Sequence, residues 1–173
     1  MPVGVDDAVV GWRYWQVRAG RLRSVTQPHV EWKPGVVLTA RCTGAGHLAP
    51  DAGCECGIYG ARDLESLRQH GLCLPPEALA VGRVGLWGRV VDDVAGWRAE
   101  FGRPLSLAVV AEMVAGTDLD AMIAALRTYG VPVESMALAD AVAGVSAAIL
   151  ANQAMAAQCV QATQADASAT RPT

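Results

Sequence analysis

Val81–Phe101 reads VGRVGLWGRVVDDVAGWRAEF. In an extended chain Val84, Leu86 and Val90 share one face, and Arg83, Trp87 and Arg89 share the other. Asp92 to Gly96 turns the chain, after which Trp97, Ala99 and Phe101 alternate with Arg98 and Glu100. Period-two patterning on both arms predicts a β-hairpin with a loop of about five residues. Gly82, Gly85 and Gly88 recur every three residues. Glycine inside a strand marks a bulge, a strong bend or a close backbone approach, and small barrels use it for curvature.

Upstream of the hairpin the pattern gives further strands over Trp12–Arg18, Leu22–Thr26 and Val36–Cys42, and a short one at Gly57–Gly60. A loop from Gln27 to Gly35 carries Trp32. Asp63 can cap a helix over 64–70. Downstream, an apolar run from Leu105 to Val114 precedes a helix that Thr117 or Asp118 caps and Gly130 ends. A long helix is expected over about 137–158. The resulting expectation is an α+β fold: a small, strongly bent antiparallel sheet or partial barrel with short helices and a long C-terminal helix. The units are a mainly-β domain over 1–133, the helix over 136–159 and a polar, disordered tail over 160–173.

A chain of 173 residues is one domain with an appendage and can bury a core without a staple. All five Trp and the single Phe lie before residue 102, so the core belongs to the first two thirds. Net charge is −3, with 12 basic against 11 acidic side chains in 1–103 and 2 against 6 in 104–173. That balance gives no global electrostatic case for nucleic acid. Heavy use of Ala, Val, Gly and Arg fits a GC-rich genome, such as an actinobacterium. Asp6 and Asp7 stand where a secretory signal would carry positive charge, and five cysteines argue against a disulfide framework. A cytoplasmic protein with reduced thiols is expected. Asp140, Ser146, Asn152 and Gln153 interrupt the apolar residues of 136–158, so no membrane span is expected.

Chemistry concentrates in Cys42–Tyr59, CTGAGHLAPDAGCECGIY. Cys42, His47, Cys54 and Cys56 form C-x4-H-x6-C-x-C, and thiolate and imidazole are the donors a tetrahedral zinc ion prefers. Cys54 and Cys56 project to one side of an extended segment. Zinc is the expected cofactor. An iron–sulfur cluster is the alternative and would draw in Cys73. Asp51 is a substitute ligand. An enzyme or redox sensor is the competing function, using an open metal or a thiolate at Cys54/Cys56 with His47 as base and Asp51 as orienting group. Ordinary half-buried thiols are the bland account.

Two other places carry functional readings. Arg83, Trp87, Arg89 and Arg98 are a candidate anion, nucleotide or single-strand face, although Asp92, Asp93 and Glu100 lie close enough to pair with them. Leu138, Val142, Val145, Ile149 and Asn152 follow a 4-3-4-3 spacing that reads as a stripe for a partner helix or for self-association. Gly57-Ile58-Tyr59 lacks the second half of the GIY-YIG nuclease motif, and the three glycines form no dinucleotide fingerprint.

His47-Leu48-Ala49-Pro50, Cys54-Glu55-Cys56-Gly57-Ile58-Tyr59, Leu86-Trp87-Gly88-Arg89-Val90 and Trp97-Arg98-Ala99-Glu100 together resemble a group of uncharacterised small, mainly actinobacterial proteins. The resemblance spans about residues 11–133. It implies a coherent domain and carries no activity. The leading expectation is a non-enzymatic interaction or adaptor module with a structural zinc site, recruiting a protein or a second copy.

Overall fold

The computed structural model describes residues 7–44, 46–69, 77–114, 118–143, 150, 152, 153, 155 and 156. Among them nine strands form a single sheet. They are β1 (Val9–Arg18), β2 (Arg21–Ser24), β3 (Glu31–Trp32), β4 (Leu38–Thr39), β5 (Ile58–Ala61), β6 (Leu79–Asp93), β7 (Gly96–Pro104), β8 (Leu107–Val110) and β9 (Val133–Met136). The helices are short: α1 (Leu64–Arg68), α2 (Leu119–Leu126), which a 3-10 turn prolongs to Tyr129, and α3 (Leu138–Ala141).

The hairpin pattern sets the centre of the sheet. β6 and β7 pair from Val84↔Pro104 to Asp93↔Gly96, with a bulge between Trp87 and Val90. Gly88 sits in that bulge at φ 80°, a conformation side chains resist. The bulge breaks the simple alternation. Leu86 and Trp87 are both buried, whereas Val90 emerges to solvent. The pairings close on themselves: β1 joins β6 from Val9↔Leu86 to Gln16↔Leu79, β7 joins β5, and β5 returns to β1 at Trp12↔Ala61.

Two apolar layers lie on opposite faces. Trp15, Leu22, Trp32, Ile58, Val84, Leu86 and Leu126 fill the first. Tyr14, Leu79, Val81, Val110, Met113, Leu138 and Val142 fill the second. A strand covered on both sides reads as a continuous apolar run, which explains why Leu107–Val110 is buried at every position. Trp32 stands edge-on to Trp15 at 5.5 Å, so its segment is drawn out of the expected loop to pair as β3.

The α+β expectation with a long C-terminal helix is corrected to a mainly-β fold. The chain spends Val133–Met136 as β9, parallel to β8 from Leu107↔Val133 to Val110↔Met136. One turn, α3, follows, and Val142 leaves it with extended φ −135°, ψ 138°. Within the expected 137–158 helix, Leu138, Ala141 and Val142 are instead drawn into the second apolar layer, because helical propensity is a weak prior against tertiary packing. Among the described residues the longest helical run is 11 residues. Leu150, Asn152, Gln153, Met155 and Ala156 are again helical. Val145, Ile149, Cys159 and the expected tail over 160–173 lie outside the described residues.

Among the described residues no helix is long and apolar enough to cross a membrane.

Candidate metal centre

β4 and β5 lie end to end along one edge of β7. Leu38 and Thr39 face Gly102 and Phe101, and the Ala40 N–H reaches the Glu100 carbonyl at 2.7 Å. Ile58 and Tyr59 then face Ala99 and Arg98. Residues 41–57 are therefore an excursion from what is nearly one continuous strand. It leaves and rejoins the sheet at neighbouring positions of β7. This topology returns Cys54 and Cys56 to the vicinity of Cys42, across a sequence gap that does not by itself bring them together.

The excursion gathers the expected donors. One ligand atom each from Cys42, His47, Cys54 and Cys56 lies within 4.8 Å of all the others, and the four residues are half-buried. Cys42 Sγ and Cys54 Sγ are 3.9 Å apart, and His47 Nε2 lies 3.3 Å from Cys56 Sγ. With metal–sulfur bonds of about 2.3 Å and metal–nitrogen bonds of about 2.0 Å, a regular tetrahedron has S···S edges of about 3.8 Å and S···N edges of about 3.5 Å. The group could thus hold a small four-coordinate ion, zinc or another metal. A sulfur separation of 3.9 Å is also far beyond a disulfide bond.

Local chemistry shapes the loop. Asp51 accepts from the Gly53 N–H through Oδ1 at 2.8 Å and from the Cys54 N–H through its carbonyl at 3.2 Å, which makes a tight turn before the C-x-C pair. Gly57 has φ 125°, and a Cβ there would stand 3.0 Å from those of Arg98 and Pro50. The bond from Ala49 to Pro50 is cis.

Sequence reasoning missed the role of Arg98. Its side chain, on β7, is buried, and its Nη1 donates to the carbonyls of Asp51 (3.1 Å), Cys54 and Cys56 (2.8 Å). Asp93 Oδ2 accepts from Arg98 Nε at 2.6 Å. That hydrogen bond raises the guanidinium above its ordinary range. No spacing in the sequence announces this contact. It exists because β5 and β7 pair Tyr59 with Arg98.

The remaining candidates fall elsewhere. Asp51 Oδ1 accepts from the Gly53 N–H, and Asp51 is not among the four donors that converge. Desolvation pushes the Cys56 thiol up. Cys73, which an all-thiolate cluster would need, lies outside the described residues. Arg83 and Arg89 are exposed, but Trp87 is buried against Phe101 and Arg98 is turned into the ligand loop, so the four do not make one open face. Arg89 also lies beside Glu100, at 4.0 Å. In the expected partner stripe, Leu138 and Val142 are buried in the chain's own second layer, and Asn152 is exposed.

Comparison with protein-family models, with curated proteins and with solved structures finds no match, so the reading of function rests on this site.

Proposed function

We propose that this chain is a non-enzymatic interaction module whose ligand loop is held by a structural zinc ion on Cys42, His47, Cys54 and Cys56. The convergence of these four donors within 4.8 Å carries the reading. Three thiolates and an imidazole suit a borderline-soft, tetrahedral ion. Four protein donors complete the tetrahedron and leave no position for water or substrate, which is the signature of a structural site. The loop also holds Leu48 out, 71% exposed. A rigidly presented apolar side chain is the kind of group that anchors in a pocket on another protein.

Elemental analysis of protein purified under reducing conditions without chelator tests the centre. One zinc per chain, lost in Cys54→Ser/Cys56→Ser, is the expected result. A brown protein absorbing in the visible would replace zinc with an iron–sulfur cluster, and metal-free protein would sink the reading. For the surface, Leu48→Asp should keep its zinc and lose any self-association that sedimentation detects. Wild-type protein sedimenting as a monomer at every concentration excludes a second copy as the partner.

A second reading, a thiol redox sensor, is favoured by the 3.9 Å separation of Cys42 and Cys54. Peroxide would take two electrons from the two thiols to form a disulfide and water, and the metal would be released. Mass spectrometry of peroxide-treated protein would then show the loss of two hydrogens together with loss of zinc. Intact thiols after treatment exclude it.

A further inference from the structure

We infer that Arg98 is the positioning residue of this centre, setting the backbone of the ligand loop before an ion arrives. The inference rests on the zinc reading above and concerns how the site is built. Two of the three carbonyls that Arg98 holds belong to Cys54 and Cys56, which are themselves ligands. The third, that of Asp51, also closes the turn onto the Cys54 N–H at 3.2 Å. One guanidinium nitrogen thus gathers the whole C-x-C segment.

The fork is itself held. Arg98 is only 4% exposed, and Asp93 Oδ2 fixes Nε at 2.6 Å. β7 supplies the base, with Arg98 opposite Tyr59 and Asp93 opposite Gly96 at the hairpin end. A loop carrying Gly44, Gly46, Gly53 and Gly57 would otherwise sample many shapes. Fixing it during folding removes that ordering cost from the metal-binding step.

Charge points the same way. Three thiolates, a neutral imidazole and a divalent ion sum to −1, and Arg98 brings +1 from a buried position beside them. Lysine cannot replace it, because an ammonium is a point donor on a flexible stem, without the planar fork that reaches Asp93 and the carbonyls together. Outer partners of metal ligands commonly set affinity by about 10- to 100-fold.

The experiment compares wild type, Arg98→Lys and Asp93→Asn. Zinc affinity is read by competition with a chromophoric chelator, and site geometry by the visible bands of the cobalt(II) form. Circular dichroism and thermal unfolding of the metal-free proteins report the fold. Arg98→Lys should keep the β spectrum and bind zinc about 10- to 100-fold more weakly, with altered cobalt bands. Asp93→Asn, which loosens the fork without removing it, should show a smaller loss of about 3- to 10-fold. A purely structural role would lower the unfolding temperature and leave the affinity and cobalt bands of the folded protein unchanged. That outcome overturns the inference while leaving the metal centre intact. If Arg98→Lys does not fold, Asp93→Asn decides, and unchanged affinity there overturns the inference. Wild-type protein that takes up neither zinc nor cobalt overturns the metal reading itself, and this inference with it.

Discussion

Tyr14 shows how much one side chain can tie together. It sits on β1 in the second apolar layer, and its hydroxyl donates to the Ala141 carbonyl at the end of α3. Burial raises its pKa above the ordinary 10.0. The folded state therefore keeps the phenol proton at pH values where the unfolded chain releases it, so stability is full below pH 10 and declines as pH rises above it. Tyr14→Phe should lose about 1 kcal/mol at pH 7 with the hydrogen bond. It should also show a flatter decline above pH 10 than wild type. Tyr129 is likewise raised by burial, and it keeps part of the slope. Urea titrations at pH 8 and pH 10.5 check both effects, and an unchanged pH slope in the variant would show that Tyr14 does not titrate with unfolding. The four candidate donors were legible at this scale because thiol and imidazole announce their chemistry by identity. Arg98 was not, because an arginine acquires its role only from what the fold places beside it.

For the strands, the glycine series of β6 separates into distinct causes. A Cβ on Gly82 would fall 1.9 Å from the Ser106 carbonyl oxygen, so backbone would have to move. A Cβ on Gly85 would meet nothing nearer than Leu105 side-chain atoms at 3.4 Å, an ordinary contact. Gly82→Ala should therefore cost about 3 kcal/mol or more. Gly85→Ala should be neutral or stabilising by up to about 1 kcal/mol, since glycine weakens a strand interior. Denaturant midpoints of the two variants test the contrast, and equal losses would mean that the crossing of β6 by Ser106 is not as tight as the structure has it. The short helices were legible from their caps: Asp63 accepts from the Ser66 N–H at 2.7 Å, and Gly130 closes the turn after α2 at φ 70°. The long helix was misread because Leu138 and Val142 have helical spacing and yet answer to a core, not to a stripe.

Across the whole molecule, the ligand loop bridges a break in the β4–β5 edge of β7, so an ion on the loop should stabilise the sheet that frames it. At a metal concentration about a thousandfold above Kd, binding to the folded state alone adds about 4 kcal/mol. For a chain of this size that is a rise of about 8–16 °C in Tm. Scanning calorimetry of the zinc-loaded chain should show this drop on adding chelator, and Cys54→Ser/Cys56→Ser should show none. A chelator-insensitive Tm in a protein that does contain zinc would place the ion outside the cooperative fold.

The sequence alone determined the hairpin, the β character of the first two thirds and the identity of the four donors. Each of these is written in local alternation or in the chemistry of single residues. Tertiary structure decided what depends on which edges meet. β1 closing onto β5 and β6, β9 pairing in parallel with β8, and Arg98 reaching into the ligand loop are all long-range pairings. Their energy comes from buried surface and backbone hydrogen bonds between segments far apart in the chain, which no local window of residues contains.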